Sequence, residues 1–301
     1  MHRDWLEDER AFRDRVAERL TGVRFDASRE MRLVEERRAG GRRWAPSAVL
    51  IPLRFDRSRS GPVVVLNKRS DRVQQPGDLC FPGGGLNRRN DRILGLLLVW
   101  RILPTCRSAP FRSLAGLSDR DPQNKILLTL FASVLRESWE EMRLPPWKVE
   151  YLGCLRPHSM ASFPRTIFPV VGRVLGSWEG RPNWEVEKIL SVPFRSFFDP
   201  GRYGLCRMLL PAAGGGEAAE WETPCFVVHD RGQEEVLWGA TFQILSRFLE
   251  TVADFSPSDV HPRRVLVRTL PAHYFTGKTG VWRGRGAPSG GLTSGGGQRP
   301  R

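Results

Sequence analysis

The sequence lacks the long apolar run that a membrane-spanning helix requires. Its longest apolar stretch covers residues 93–104 and is interrupted by Arg101, whereas a span needs about 20 apolar residues. The N-terminal residues also lack the apolar core of a secretory signal peptide, so we expect a cytoplasmic protein. With 40% apolar residues, the 301-residue chain is not a wholly disordered one.

Cysteines are few and widely spaced. The chain has five, none of them in a CxxC pair. They are Cys80, Cys106, Cys154, Cys206 and Cys225. This spacing, without a signal peptide, argues against a disulfide framework or a zinc site and predicts reduced thiols.

Acidic residues are scarce in the last part of the chain. The net charge is +14. Residues 256–301 hold eight basic residues and one acidic residue, Asp259, so this segment carries half of the net charge. A basic protein favours anionic partners such as nucleotides, nucleic acid or acidic lipid. An arginine-rich composition with a solvated tail would give the same balance.

Apolar spacing predicts three main helices. A charged N-terminal helix covers residues 4–38 and is expected to pack on other elements before it ends at Gly40. Its apolar residues are Trp5, Phe12, Val16 and Leu20. A second helix at 126–144 ends at Pro145, and a third covers 238–252. The predicted core stripe of the second comprises Phe131, Leu135, Trp139 and Met142.

Runs rich in β-branched residues predict several strands. Residues 48–53 and 62–66 are separated by a polar segment with a glycine, which is typical of a hairpin in a buried sheet. Further strands are expected at 149–155, 166–174 and 225–228. The glycine-rich tail from about residue 283 has no apolar periodicity and is predicted to be disordered.

Three glutamates form the most informative cluster of the sequence. Glu137, Glu140 and Glu141 lie at i, i+3 and i+4 of a predicted helix, so they share one face. Like charges at this spacing repel by about 0.2–0.5 kcal/mol per pair, and a divalent cation reverses that interaction. Mg²⁺ and Mn²⁺ prefer such oxygen ligands. A solvated acidic face is the alternative interpretation.

A glycine-rich segment, Phe81-Pro82-Gly83-Gly84-Gly85, lies upstream of this helix. Three consecutive glycines permit positive φ and a close approach of the backbone to a metal or a phosphate. An ordinary tight turn has the same composition.

Together the two segments resemble the box of the Nudix hydrolases, Gly-x5-Glu-x7-Arg-Glu-U-x-Glu-Glu-x-Gly-U, where U is apolar. Gly85 and Asp91 match its first half, with Asp for Glu, and residues 136–144 match its second half. The resemblance implies a Nudix-type α/β/α sandwich with a mixed β-sheet. It also implies a hydrolase that acts on phosphorus-containing anhydrides.

Other segments resemble the coenzyme A pyrophosphatase branch of that superfamily, and the similarity spans about residues 44–250. These segments cover 48–53, 65–70, 77–84, 168–172, 185–194 and 238–241. The branch implies cleavage of coenzyme A or a derivative to 4′-phosphopantetheine and 3′,5′-ADP. A pyrophosphatase for ADP-ribose or a dinucleotide, and a non-catalytic Nudix-fold binding module, are the alternatives.

The chain departs from the family pattern at several points. Forty-four residues (92–135) separate Asp91 from Arg136, where the family has seven, so we predict an insertion at 92–130 inside the box. Arg143 stands at the late glycine and Ser138 at an apolar position, and the segment before Gly77 is about one residue shorter than in the branch.

The resemblance therefore divides the chain into three regions. Residues 1–43 are a helical extension, 44–255 the Nudix hydrolase domain with the insertion at 92–130, and 256–301 a basic extension. The apolar start of the insertion is expected to bury against the N-terminal helix. The alternatives are that this segment covers the site, contacts an acyl chain, pairs subunits or touches a membrane surface.

The resemblance also implies roles for the residues of the glutamate helix. Glu140 and Glu141 are the implied main ligands of Mg²⁺ or Mn²⁺, and Glu137 is implied as a third ligand or as the residue that positions the attacking water. The backbone carbonyl of Gly85, or of the neighbouring Gly84, would add a further ligand. Arg136 is implied to hold Glu140. We expect Arg136 and the three glutamates to be the catalytic residues.

The predicted substrate contacts come from the neighbouring strand and the glycine segment. Lys68 and Arg69, with Gly83 and Gly84, are expected to bind the phosphates of a small nucleotide of the coenzyme A type; a Lys-Arg pair at a strand end is otherwise a solvated edge. Nucleic acid is not the expected partner, while membrane-surface contact and a homodimer stay open.

Overall fold

A computed structural model of the chain describes residues 4–40, 44–56, 58, 61–99, 108–116, 121–160, 164–211, 219–262, 264–271 and 273–275. Its helices are α1 (Glu9–Thr21), α2 (Ala27–Ala39), α3 (Arg88–Val99), α4 (Ala109–Gly116), α5 (Pro122–Met142) and α6 (Gly239–Ala253). Among the described residues, no helix combines the length and the apolar character that crossing a membrane requires. The predicted disordered tail and Cys106 lie outside the described residues.

The strands of the described residues form two sheets. Those of the first are β1 (Ala45–Asp56), β2 (Gly61–Arg69), β3 (Leu79–Cys80), β4 (Gly83–Gly85), β5 (Val149–Cys154), β6 (His158–Met160), β7 (Arg165–Val174) and β8 (Val186–Pro193). Those of the second are β9 (Tyr203–Leu210), β10 (Ala219–Asp230), β11 (Gln233–Trp238) and β12 (Val265–Thr269).

The first sheet is mixed and is centred on β1. Its order is β3-β2-β1-β7-β5, with β4 paired to β1, β6 to β7 and β8 to β2. β1 runs parallel to β7, with Ala48 opposite Phe168, and antiparallel to β2, with Leu53 opposite Val64. This arrangement confirms the predicted α/β fold with a mixed sheet and the predicted β1–β2 hairpin.

Apolar side chains cover both faces of the first sheet. Because side chains alternate along a strand, Val63 and Val65 of β2 join the core on the α5 side, whereas Val64 and Leu66 join the core under α1 and α6. Burial of each such side chain stabilises the fold by roughly 1.5–3 kcal/mol. The sheet is therefore held between helical layers.

The second sheet has the order β11-β10-β9-β12, with β12 parallel to β9. Its strand β12 and the fully buried Leu270 and Tyr274 come from the basic C-terminal region. Strands β8, β9 and β12 were not predicted from the sequence, because the short runs that form them lack a distinctive apolar pattern.

The helix predicted at 126–144 is confirmed as α5, which begins four residues earlier. The side chain of Asp121 accepts a hydrogen bond from Gln123 N at its N-terminus, and Pro122 occupies the first turn. The core prediction is wrong for Trp139, which is 39% exposed. Its indole packs instead against Trp147, with ring centroids 6.3 Å apart.

The N-terminal region forms two helices where the sequence predicted one. α1 ends at Gly22, and the side chain of Asp26 caps the start of α2. Within α1, Phe12, Val16 and Leu20 are buried, as predicted. The interruption arises because a glycine and an N-cap aspartate favour a helix end and a helix start.

The start of the insertion forms α3, which packs on α5. Leu98 is fully buried there, whereas Ile93, Leu96 and Leu97 are 55%, 49% and 38% exposed. The expectation that this segment buries against the N-terminal helix is therefore wrong. The apolar residues of α3 exceed what its contact with α5 can cover.

Candidate active site

The three glutamates of α5 do not form a single group. Glu137 and Glu141, one helical turn apart, face strand β4, whereas the Glu140 side chain is 51% exposed. The three residues are neighbours on one side of the helix, and Nη1 of Arg136 lies 3.0 Å from the Glu137 carboxylate and 3.1 Å from that of Glu140. The structure thus places two of the three predicted carboxylates against the backbone of β4 and the third at the solvent-exposed rim.

Two glycines of β4 allow the backbone to meet these carboxylates. A Cβ atom built on Gly84 would lie 2.5 Å from Oε1 of Glu137. Gly83 has φ +155°, and a Cβ atom there would lie 2.2 Å from the carbonyl oxygen of Ala48 on β1. Only glycine fits at either position without displacing its neighbours.

Glu141 occupies the most enclosed part of the site. Its Oε2 accepts a hydrogen bond of 2.8 Å from Nδ2 of the fully buried Asn67 on β2. Burial and the charge of Glu137 raise the pKa of Glu141 to about 8, although a hydrogen bond from Gly83 and Asn67 oppose the rise. Burial likewise raises the pKa of Glu137, against the attraction of Arg136.

Arg136 joins the two halves of the predicted box. Its Nε lies 2.7 Å from Oδ1 of the completely buried Asp91 at the start of α3. Its Nη1 lies 3.0 Å from Glu137 and 3.1 Å from Glu140, and its Nη2 donates to the carbonyl oxygen of Gly85 at 3.2 Å. The carbonyl predicted as a metal ligand therefore accepts a hydrogen bond from Arg136 here.

Arg69 and Lys68 lie on opposite faces of β2. Arg69 is on the side of Asn67, and its positive charge acts on the Glu141 carboxylate. Nζ of Lys68 instead lies 3.1 Å from Glu187 and 2.9 Å from Glu235, where it joins the first sheet to β11. The register of β2 against β8 is irregular between these two residues, and only Arg69 of the pair faces the site.

The loop at 70–78 is fixed by the C-terminal segment. The buried carboxylate of Asp78 pairs with Arg268 at 2.8 Å and accepts hydrogen bonds from Trp238 and Tyr274. Backbone bonds join Gln75 N to Tyr274 O at 2.8 Å and Arg69 N to Asp78 O at 2.9 Å.

This loop in turn holds Arg69, whose Nε donates to the carbonyl oxygen of Gln74 at 2.7 Å. Sequence reasoning missed Asn67, Asp78 and Tyr274. The only available signal was a polar residue inside an apolar strand, at Asn67.

The atoms around Glu137 and Glu141 fit a hard divalent cation. Both carboxylates lie in a desolvated position over glycine backbone, and Oδ1 of Asn67 has no hydrogen-bond partner among the described residues. No group of three His, Cys, Asp or Glu side chains in the described ranges forms a complete metal site. Mg²⁺ commonly takes one or two carboxylates and completes its shell with water and substrate phosphate, which this pair allows.

Three solved structures share features of this fold at low sequence identity. A MutT/nudix family protein from Enterococcus faecalis has 13% identity and a TM-score of 0.38, over 71% of this chain and 63% of that protein. A NUDIX hydrolase from Nitrosomonas europaea has 11% identity and a TM-score of 0.37, over 76% and 81%.

The third is the NUDIX domain of Shewanella oneidensis NrtR in complex with ADP-ribose. It has 12% identity and a TM-score of 0.31, over 54% of this chain and 84% of that domain. All three are Nudix or MutT proteins. No protein-family model matches the sequence, and no curated protein matches it.

Proposed function

We propose that this protein is a metal-dependent pyrophosphohydrolase that cleaves derivatives of nucleoside diphosphates. The observation that carries the proposal is the pair Glu137 and Glu141, which lies over the backbone of Gly83 and Gly84 at one end of a sheet. Arg69 stands beside this pair. Carboxylates, open backbone and a guanidinium together suit a cation and the phosphates that accompany it.

Glu137 and Glu141 are the residues that would hold Mg²⁺ or Mn²⁺, with Glu140 as a third carboxylate at the rim. When bound, the cation lowers the pKa of water and neutralises phosphate charge. Arg136 orients Glu137 and Glu140 through its two ion pairs. Arg69 attracts the substrate phosphates, while the absence of a Cβ atom on Gly83 and Gly84 lets the β4 backbone pack against β1 and the Glu137 carboxylate.

Coenzyme A or a derivative is the substrate that we favour, with 4′-phosphopantetheine and 3′,5′-ADP as products. Its support is the sequence similarity to the coenzyme A pyrophosphatase branch along residues 44–250, which includes Arg69 and the glycine segment. ADP-ribose and dinucleotides are the alternative substrates. Hydrolysis of either in preference to coenzyme A would replace this assignment within the same reaction class.

The test is a substrate panel with identification of the products by mass spectrometry. The purified chain is incubated with coenzyme A, acyl-coenzyme A, ADP-ribose and a dinucleotide, each with Mg²⁺ or Mn²⁺. We expect Glu137→Gln and Glu141→Gln each to lower kcat by at least about 100-fold, because each removes a charge that the reaction needs.

Glu36→Gln is the matched control, since this glutamate is exposed on α2, far along the chain from the site. It should keep the wild-type rate. Circular dichroism should show all three variants folded. Near-normal hydrolysis by both site variants, or no hydrolysis of any panel member by the wild type, would contradict the proposal.

A further inference from the structure

A second cleft lies at the C-terminal end of α5, outside the site described above. It has a volume of about 530 Å³. Its lining residues are Trp139, Arg143, Glu179, Arg181, Pro182 and Asn183. Around the helix, Trp139 is rotated by roughly 200° from Glu137, so the cleft opens on another side of α5 from Gly84.

Arg143 adopts a backbone conformation that favours glycine. Its φ is +55° and its ψ is +35°, immediately after the last residue of α5. Arg143 N donates to Trp139 O at 3.1 Å, and Leu144 N donates to Ser138 O at 3.2 Å. The bond from Arg143 N to Trp139 O is the αL capping motif, in which glycine usually occupies the left-handed position.

The turn itself does not require an arginine, because its hydrogen bonds use only backbone atoms. A side chain in the left-handed region is strained, and such strain is often kept where the side chain has a function. The Arg143 side chain lies in the cleft with its guanidinium 5.4 Å from the ring centroid of Trp139.

The walls of the cleft combine exposed aromatic rings with two arginines and one acidic residue, Glu179. Trp139 is 39% exposed and the neighbouring Trp147 is 49% exposed. Arg143 and Arg181 are exposed, and among the described residues neither guanidinium has an ion-pair partner. Indole faces stack on planar bases, and guanidinium groups bind phosphate in a bidentate way.

The far wall of the cleft is tied to the helix that carries the glutamates. Arg181 N donates to Met142 O at 3.1 Å, and Asn183 N donates to Glu141 O at 2.9 Å. Glu140 and Arg143 lie three residues apart and are neighbours on the helix surface. Glu137 and Arg143 differ by about 9 Å along the helix axis and by about 120° around it, with Glu140 between them, so a substrate that reaches both must extend around this side of α5.

We propose that this cleft binds the nucleoside-phosphate part of the substrate, with the base on Trp139 and a phosphate between Arg143 and Arg181. The assignment rests on the proposed function, because the cleft would add contacts to the nucleoside to those that the carboxylate site makes with the cation and the phosphates. On binding, the base takes the indole face that the Arg143 guanidinium covers in this structure. The guanidinium then pairs with the phosphate.

The decisive variant is Arg143→Gly, because relief of backbone strain should stabilise the protein while loss of the guanidinium should weaken binding. Glycine relieves the left-handed strain, so the melting temperature should rise by a few degrees. The same change removes a phosphate contact, so binding of 3′,5′-ADP should weaken about tenfold. A residue with only a structural role would not lose binding while the protein becomes more stable.

Arg231→Gly is the matched control. Arg231 has φ +47° in the turn between β10 and β11, and it does not line the cleft. Its replacement should also raise the melting temperature, with no change in binding. Arg181→Ala and Trp139→Leu serve as second variants, each with weaker binding expected.

Binding is measured by isothermal titration of 3′,5′-ADP in EDTA, so that neither metal nor turnover contributes. Inorganic phosphate, titrated in parallel, should bind more weakly because it has no base to stack on Trp139. With hydrolysed substrate, Arg143→Gly should raise KM more than it changes kcat. Wild-type affinity for 3′,5′-ADP in Arg143→Gly, Arg181→Ala and Trp139→Leu would overturn the inference.

The two proposals fail in different ways. If the protein hydrolyses no substrate of the panel, binding of 3′,5′-ADP to the wild type and its loss in Arg143→Gly still test whether the cleft binds a nucleoside phosphate. If hydrolysis occurs but no binding is detected in EDTA, the cleft assignment is wrong and the carboxylate site stands.

Discussion

At the residue scale, burial distinguishes adjacent residues of the same type. Glu141 lies under Asn67 and Gly83, and its pKa rises to about 8, whereas the neighbouring Glu140 is half exposed beside Arg136. One step along a helix is enough to move a carboxylate from a desolvated position to the surface. Enclosure next to a second carboxylate makes Glu141 a group that favours a bound proton or cation.

The raised pKa of Glu141 predicts a pH dependence of stability in the metal-free protein. Its ordinary pKa is 4.5, and in the fold it is about 8. Between these values the folded state keeps a proton that the unfolded chain releases, so the free energy of unfolding falls as the pH rises from about 4.5 to about 8. Glu141→Gln removes this contribution.

Urea unfolding in EDTA at about pH 5 and about pH 8 measures the effect. The wild type should lose more stability between the two than Glu141→Gln. In a parallel measurement without EDTA, Mg²⁺ should reduce the loss of stability in the wild type, because a cation stabilises the ionised carboxylate. Equal pH dependence of the two proteins would contradict the assignment.

At the element scale, α5 and α3 are joined by one buried ion pair. Asp91, which precedes the predicted insertion, is completely buried, and its carboxylate accepts hydrogen bonds from Arg136 Nε at 2.7 Å and from Asn87 N at 2.6 Å. The two ends of the 44-residue segment between Asp91 and Arg136 are therefore in contact. A long insertion is tolerated because the cost of closing a loop grows slowly with its length.

Loss of the Asp91 charge should destabilise this junction. In Asp91→Asn the Arg136 guanidinium loses a buried partner, and we expect the free energy of unfolding to fall by about 3 kcal/mol. Asp14→Asn, which weakens only the exposed pairs with Arg10 and Arg13 on α1, should cost less than about 1 kcal/mol. Urea unfolding compares the two; similar small losses would show that the junction contributes little.

Elements with a strong local pattern were predictable from the sequence, and contacts between elements were not. The β1–β2 hairpin and α5 follow from β-branched runs and a 3.6-residue period. Strand alternation separates adjacent residues, but the register of β2 is irregular between Lys68 and Arg69, and the partners of Lys68 lie on β8 and β11. The exposure of Trp139 depended on Trp147 and Arg143, which no periodicity reveals.

At the scale of the whole molecule, the last described residues complete the site's surroundings. β12 adds an edge to the second sheet, and Tyr274 enters its core. Arg268 and Tyr274 meet Asp78 across nearly 200 positions of sequence, which is why composition alone indicated only a basic extension. Part of the positive charge of the C-terminal region, which the sequence indicated as a solvated tail, neutralises the buried carboxylate of Asp78.

The clamp on Asp78 predicts that Arg268 controls the order of the loop at 70–78. In Arg268→Ala the buried carboxylate loses its cation, so the backbone bonds from Gln75 N, Gly77 N and Asp78 N should open more often. Hydrogen exchange of these amides should accelerate by about tenfold or more. Because Arg69 is held through this loop, KM should rise more than kcat changes.

Arg207→Ala is the matched control for this last prediction. Arg207 lies in β9 of the same sheet and pairs only with the exposed Glu220 and Glu222 among the described residues. It should leave exchange at 75–78 and KM as in the wild type. Unchanged exchange in Arg268→Ala would mean that Trp238 and Tyr274 hold Asp78 without its counter-charge. The C-terminal strand β12 would then stabilise the second sheet without ordering the loop at 70–78.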